Sequence, residues 1–105
     1  MLPSLPMYII KETGKFQSWL TRLKDPQARA RILARIWRAS QGNFGDCEPV
    51  GDGVSEMRIN YGPGYRVYFA REAEVTYLLL CGGNKSTQAR DIAAARELWN
   101  QLKKS

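Results

Sequence analysis

The sequence contains no histidine at all. That absence excludes imidazole-based catalysis and removes the nitrogen ligand on which most zinc sites depend. Cysteine is nearly as scarce: Cys47 and Cys81 stand alone, far apart and in no ligand-like spacing, so no metal site is expected. No apolar run approaches the ~20 residues of a membrane span. The opening MLPSLP has neither a basic segment nor an apolar core, so it does not read as a signal peptide. Two isolated cysteines without an export signal point to reduced thiols in the cytoplasm. Whatever chemistry the chain performs must rest on Arg, Lys, Tyr, Asp or Glu.

What is present is basic. A formal charge of +6 and a pI near 9.6 favour an acidic partner, either nucleic acid or an acidic protein surface. Many small soluble proteins are basic without such a partner, so charge alone does not choose. The length of 105 residues and the ordinary hydrophobic content fit a single domain over 1–105 with one modest core.

Along the chain, Met7-Tyr8-Ile9-Ile10 reads as a short strand. Phe16, Trp19, Leu20 and Leu23 recur at helical spacing. Asp25-Pro26 supplies an N-cap and a first-turn proline for a second helix. In that helix Ile32, Leu33, Ile36 and Trp37 are expected to point inward, with Arg29, Arg31, Arg35 and Arg38 mostly wet, and Gly42 to end it. Residues 41–53, rich in glycine, read as loop. From Val54 the period becomes two, and strands are expected at about 54–61, 65–71 and 75–81. Ser86 or Thr87 then caps a final helix whose stripe is Ile92, Ala95, Trp99 and Leu102. The order β-α-α-β-β-β-α predicts a two-layer α+β fold, an antiparallel sheet with helices on one face.

The stretch EMRINYGPGYRVYF at 56–69 carries the chemistry. Side chains alternate across a strand, so Met57, Ile59 and Tyr61 share one face with Tyr65, Val67 and Phe69. Glu56, Arg58 and Asn60 share the other with Arg66, Tyr68 and Ala70. A Gly62-Pro63-Gly64 loop predicts Tyr61 opposite Tyr65 and Ile59 opposite Val67, since a one-residue slip would bury the arginines. Asn60 then faces Arg66 and Arg58 faces Tyr68, leaving the arginines as diagonal neighbours. Two guanidiniums and a phenol on a rigid sheet can hold a phosphate bidentately. The same pattern also fits a plain solvated face with Glu56 paired to Arg58. In CGGNKSTQARDI, a glycine turn leads into a helix start, which favours anions, and Lys85 sits at that junction. The P-loop frame is missing, so nucleotide hydrolysis is not expected. Arg90, Asn60 and Tyr68 complete the candidate substrate-binding set.

The segments FQSWLTRLKD, ARILARIWR, GNFGD, PVGDGVSEMRINYGPGYRVYF and LLLCGGNKSTQARDI, in this order, closely resemble the HigB-like addiction-module-killer branch of the RelE/ParE toxin superfamily. The resemblance covers nearly everything from Met7 to about Leu102. It implies the toxin of a type II toxin–antitoxin system, a ribosome-dependent, metal-independent mRNA endonuclease with no cofactor. Its partners are then mRNA on the ribosome and a cognate helix-turn-helix (HigA-like) antitoxin. The fold implied is a helical hairpin against a curved antiparallel sheet, with active residues on the polar sheet face. By position Arg66 matches the arginine that the family uses on the scissile phosphate, and Arg58 and Lys85 match further basic residues. A family position for the general acid falls near Asp91. Glu48 matches a position used as base, and Glu56 lies on the proposed face. A ParE-like relative would instead inhibit DNA gyrase by binding, without catalysis. In the nuclease reading, preorganised cations stabilise charge on the phosphoryl oxygens. A glutamate among arginines is a weak base, so positioning by the ribosome supplies much of the rate.

Overall fold

The computed structural model describes residues 7–105; the expectation of no signal peptide concerns residues that lie outside that range. The elements are β1 (Ile9–Glu12), α1 (Gly14–Arg22), α2 (Pro26–Ser40), β2 (Cys47–Gly51), β3 (Val54–Ile59), β4 (Tyr65–Ala73), β5 (Thr76–Asn84), a 3-10 turn (Lys85–Thr87) and α3 (Gln88–Lys103). They build an α+β fold on one five-stranded sheet of order β1-β5-β4-β3-β2. Among the described residues, no helix is long and apolar enough to cross a membrane.

Each helix starts where local chemistry dictates. The Thr13 hydroxyl accepts from the Phe16 amide at 3.0 Å and donates to the Leu80 carbonyl at 2.6 Å, so one side chain caps α1 and ties it to β5. Asp25 accepts from the Gln27 and Ala28 amides ahead of Pro26, which is the start expected from the sequence. At the last helix, Asn84 caps the 3-10 turn through the Ser86 amide, while Thr87 stands at the helix start without a side-chain cap bond.

The sheet differs from the sequence expectation in three ways. Part of the loop at 41–53 is a strand: β2 pairs antiparallel with β3 through a Gly51-Asp52-Gly53 turn. Its Pro49 has no amide to donate, which an edge strand tolerates. Second, β1 lies two residues later than predicted from Met7, and it pairs with β5 in parallel, Ile9 beside Thr76 and Glu12 beside Leu79. The sheet is therefore mixed. Third, the β3–β4 register pairs Ile59 with Tyr65, Met57 with Val67, Arg58 with Arg66 and Glu56 with Tyr68. The cause is Tyr61, which leaves the ladder. Its hydroxyl donates to Asp25 at 2.8 Å, and the Arg31 guanidinium lies 4.7 Å above its ring. Residues 60–64 become the connection, and each side chain keeps its predicted face.

Two packed layers of side chains follow. On one face Met57, Ile59, Val67, Phe69 and Leu79 meet Phe16, Ile32 and Ala39 from α1 and α2. This is the predicted hairpin on a sheet. On the other face Val54, Tyr68, Ala70, Leu80 and Cys81 meet Ala95 and Trp99 from α3. The expected α+β fold, with its helical hairpin packed on one face of the sheet, is the one observed, and α3 packs against the second cluster over part of the polar face. The inward stripes are also narrower than predicted. Leu33 and Trp37 of α2 face solvent, as does Leu102 in part. Arg35, expected to be wet, reaches around to donate to the backbone carbonyls of Arg58, Phe44 and Asp46.

Candidate functional site

Glu56 is the centre of the polar face. It is fully buried, and four groups converge on its carboxylate. Oε2 accepts from the Tyr68 hydroxyl at 3.0 Å and from Gln88 Nε2 at 2.8 Å. Oε1 accepts from Arg58 Nε at 3.1 Å, and Arg66 Nε lies 3.8 Å away. The β3–β4 register makes this possible by placing Arg58 beside Arg66 and Glu56 beside Tyr68. Gln88 arrives from the first turn of α3. The desolvation that would raise the Glu56 carboxyl is outweighed by the hydrogen bonds from Gln88, Arg58 and Tyr68 and by the Arg66 charge, which hold it below the ordinary carboxylate range. The Tyr68 phenol is pushed far up by burial and then by its bond to Glu56.

The two arginines differ in what they can still do. Arg58 is held by three carboxylates: it donates to Glu48 at 2.7 Å and to Glu56, and Asp46 lies 3.8 Å away. Arg66 is 8% exposed. Its Nη1 donates to the Gly64 carbonyl at 3.0 Å and to the Tyr65 carbonyl at 3.3 Å, while its buried Nε has no hydrogen-bond partner among the described residues. Buried donors are nearly always paired, so this one stands out. Lys85 is exposed and lies on the far side of Gly64. A methyl group at Gly64 would be 3.4 Å from both Arg66 Nη1 and Lys85 Cβ, so the turn brings the lysine beside the guanidinium.

Other predicted residues stand elsewhere. Asn60, expected opposite Arg66, turns toward α2 and lines a depression with Arg31, Arg35 and Arg38, because Tyr61 has drawn the chain away from the ladder. Tyr68 is on the predicted face but wholly covered. Asp91 accepts from the Thr87 hydroxyl and presses onto β5, where a methyl group at Gly83 would lie 1.8 Å from its Oδ2. Arg90 points into a separate groove with Lys15, Trp19 and Arg22. Glu48 and Asp46 are the exposed acids of the cluster, their side chains 61% and 53% accessible. Sequence reasoning missed Gln88, Asp46 and Arg35. The register that assembles them depends on a turn and on a helix arriving from distant sequence, and no local pattern announces either.

No protein-family model matches the chain. A Haemophilus influenzae protein (strain Rd), described only as an uncharacterized protein, is 52% identical over 93 residues, covering 89% of this chain and 94% of that one. Two solved structures share the fold. One is from the toxin–antitoxin complex RelBE2 of Mycobacterium tuberculosis, with a TM-score of 0.61 at 19% identity, covering 75% of this chain and 99% of that one. The other is a mutant of the E. coli toxin RelE in the free state, with a TM-score of 0.66 at 11% identity, covering 86% and 94% respectively.

Proposed function

We propose that this chain, which belongs to the same family as the Haemophilus influenzae protein and shares the fold of RelE toxins, is the toxin of a type II toxin–antitoxin pair. In this reading it cleaves translated mRNA on the ribosome without a metal ion and is restrained by a cognate helix-turn-helix antitoxin of HigA type. The 2′-oxygen attacks the adjacent phosphorus in line, and the bond to the 5′-oxygen breaks. The enzyme's main contribution is charge stabilisation on the phosphoryl oxygens.

The observation that carries this reading is Arg66. Backbone carbonyls and Glu56 fix its guanidinium in place. A cation held in this way needs no reorganisation when charge develops beside it. Lys85 extends the positive field across Gly64. Arg58 joins once phosphate displaces Glu48 or Asp46, since Arg58 and Arg66 are otherwise paired with Asp46, Glu48 and Glu56. Glu56, held below its usual range by its donors, acts as a positioning residue. Glu48, open to solvent beside Arg58, is the better candidate base. In this reading Glu48 takes the proton of the 2′-hydroxyl, and the departing 5′-oxygen takes its proton from water, since neither buried Tyr68 nor engaged Asp91 is placed to give one. Asn60 and Arg90 lie outside the cluster, in separate grooves.

The test is cleavage of translated mRNA by purified protein and ribosomes, with melting temperature as control. Arg66→Ala is expected to lower the rate about 10²–10³-fold, the usual loss for one transition-state donor, while remaining folded. Unchanged cleavage by that variant would remove Arg66 from the site. Inhibition of gyrase supercoiling with no RNA cleavage by the wild type would instead identify a ParE-like binding toxin.

A further inference from the structure

We infer that the outer face of α2 is the docking surface for an acidic amphipathic helix of the partner protein, on the side of the sheet away from Arg66. The identity of that partner rests on the toxin–antitoxin reading; the face itself is argued from α2.

Helix α2 is apolar twice over. Its inner residues Ala28, Ile32 and Ala39 are buried against the sheet. A second series, Pro26, Ala30, Leu33, Ala34 and Trp37, lies at the surface. Those positions follow one another at helical spacing and form a ridge nearly opposite the buried stripe. Its two large members, Leu33 and Trp37, are one turn apart and remain 50% and 65% exposed. Large apolar side chains at i and i+4 are the anchors by which one helix seats against another. Among the described residues, neither belongs to the core.

The charges beside the ridge choose the occupant. Helix α2 carries Arg29, Arg31, Arg35 and Arg38 and no acidic residue. Arg29 is spent on the Leu23 carbonyl and Arg35 on carbonyls at the sheet edge. Arg31 and Arg38 are exposed along one flank of the ridge. Among the described residues, neither has a carboxylate within ion-pair distance. A second copy of this chain would set like charges against each other across the ridge, which is costly. RNA would match the arginines and stack a base on Trp37, but it would leave Leu33 and the alanines of the ridge unused. A helix with an apolar stripe bordered by Asp or Glu satisfies both features at once. The ridge lies with the hairpin on one sheet face, and the Glu56–Arg66 cluster lies on the other. Binding and catalysis should therefore be separable by mutation.

The probe is the purified protein encoded by the gene adjacent to this one, titrated onto the full chain by calorimetry at two salt concentrations. Trp37→Ser is expected to weaken binding at least ~30-fold, the loss typical of an aromatic hot spot, with RNA cleavage and melting temperature unchanged. Reversing Arg31 and Arg38 to Glu should weaken binding at the lower salt concentration and reduce its salt dependence. Arg66→Ala should bind as the wild type does. Wild-type affinity in Trp37→Ser would overturn the docking site. So would unchanged partner binding combined with lost ribosome-dependent cleavage, which would make the ridge an RNA surface. If the neighbouring protein does not bind the wild type, the toxin–antitoxin reading fails and the docking proposal fails with it.

Discussion

Replacing Glu56 by Ala removes the acceptor of three side-chain hydrogen bonds and the counter-charge of Arg66. The Tyr68 hydroxyl, the Gln88 amide and two guanidinium nitrogens lose their counterpart in a site where Glu56 and Tyr68 are fully buried. Breaking a buried pair by deleting one partner costs about 3–5 kcal/mol, because the surviving charge stays desolvated. For a domain of this size each kcal/mol moves the melting point by roughly 4–8 °C, so a drop on the order of 20 °C is expected. Glu56→Gln keeps the shape and some of the hydrogen bonds and should lose about half as much. Arg66→Ala should cost only ~1–2 kcal/mol, since it leaves Glu56 with three donors. That is still more than the ~0.5 kcal/mol expected of an exposed arginine, which is what the sequence alone suggests for Arg66. Acid provides a second arm. A carboxyl held below its ordinary value of 4.5 contributes stability that is present above that value and lost as pH falls through the depressed one. Asp25 and Asp52 are shifted the same way by their hydrogen bonds, so the wild type should lose stability below about pH 4.5, with a shallower slope in Glu56→Gln. Calorimetric melting across pH 2.5–8 (approximately, spanning both limbs) measures all of this. An Ala variant that melts within a few degrees of wild type, or an Arg66→Ala more damaged than Glu56→Ala, would refute the reasoning.

Gly83→Ala would set a methyl group 1.8 Å from Asp91 Oδ2 and should cost about 1–3 kcal/mol. Asp91→Ala in the same chain should recover part of that loss, and strictly additive effects in chemical denaturation would show that the two do not touch. Of the two thiols, buried Cys81 is pushed up to about 11 by desolvation, whereas Cys47 is raised but only half-buried. A disulfide reagent at mildly alkaline pH should therefore label Cys47 in the native protein and Cys81 only as the chain opens; equal rates would contradict the packing under α3.

The parts of the fold legible in the sequence are those decided locally. Asp25-Pro26 announces α2, and alternation from Val54 to Phe69 assigns each side chain to a face that the structure keeps. The errors arise where a distant partner intervenes. Tyr61 alternates correctly, yet Asp25 and Arg31 draw it out of the ladder and shift the register. Leu33 and Trp37 satisfy a helical stripe by spacing, but the helix has only one face to bury. The cluster is partly legible, as Glu56, Arg58, Arg66 and Tyr68 on one face. Its closure by Gln88 is not, because α3 crosses to that face through contacts of Ala95 and Trp99 that no short window contains.

The parallel pairing of β1 with β5 has a consequence for synthesis. Ile9 leaves the ribosome early, yet its ladder partner Thr76 and the Leu80 carbonyl that receives the Thr13 hydroxyl come much later. Such long-range pairings are slow to close, because loop entropy must be overcome before any contact repays it. Glu56 likewise waits for Gln88. The helical hairpin and the β3–β4 ribbon can form as the chain emerges, but the Glu56 carboxylate is not closed over until Gln88 has left the tunnel. A nascent chain that still holds Gln88 inside the tunnel thus lacks the finished cluster, however complete its sheet ribbon is.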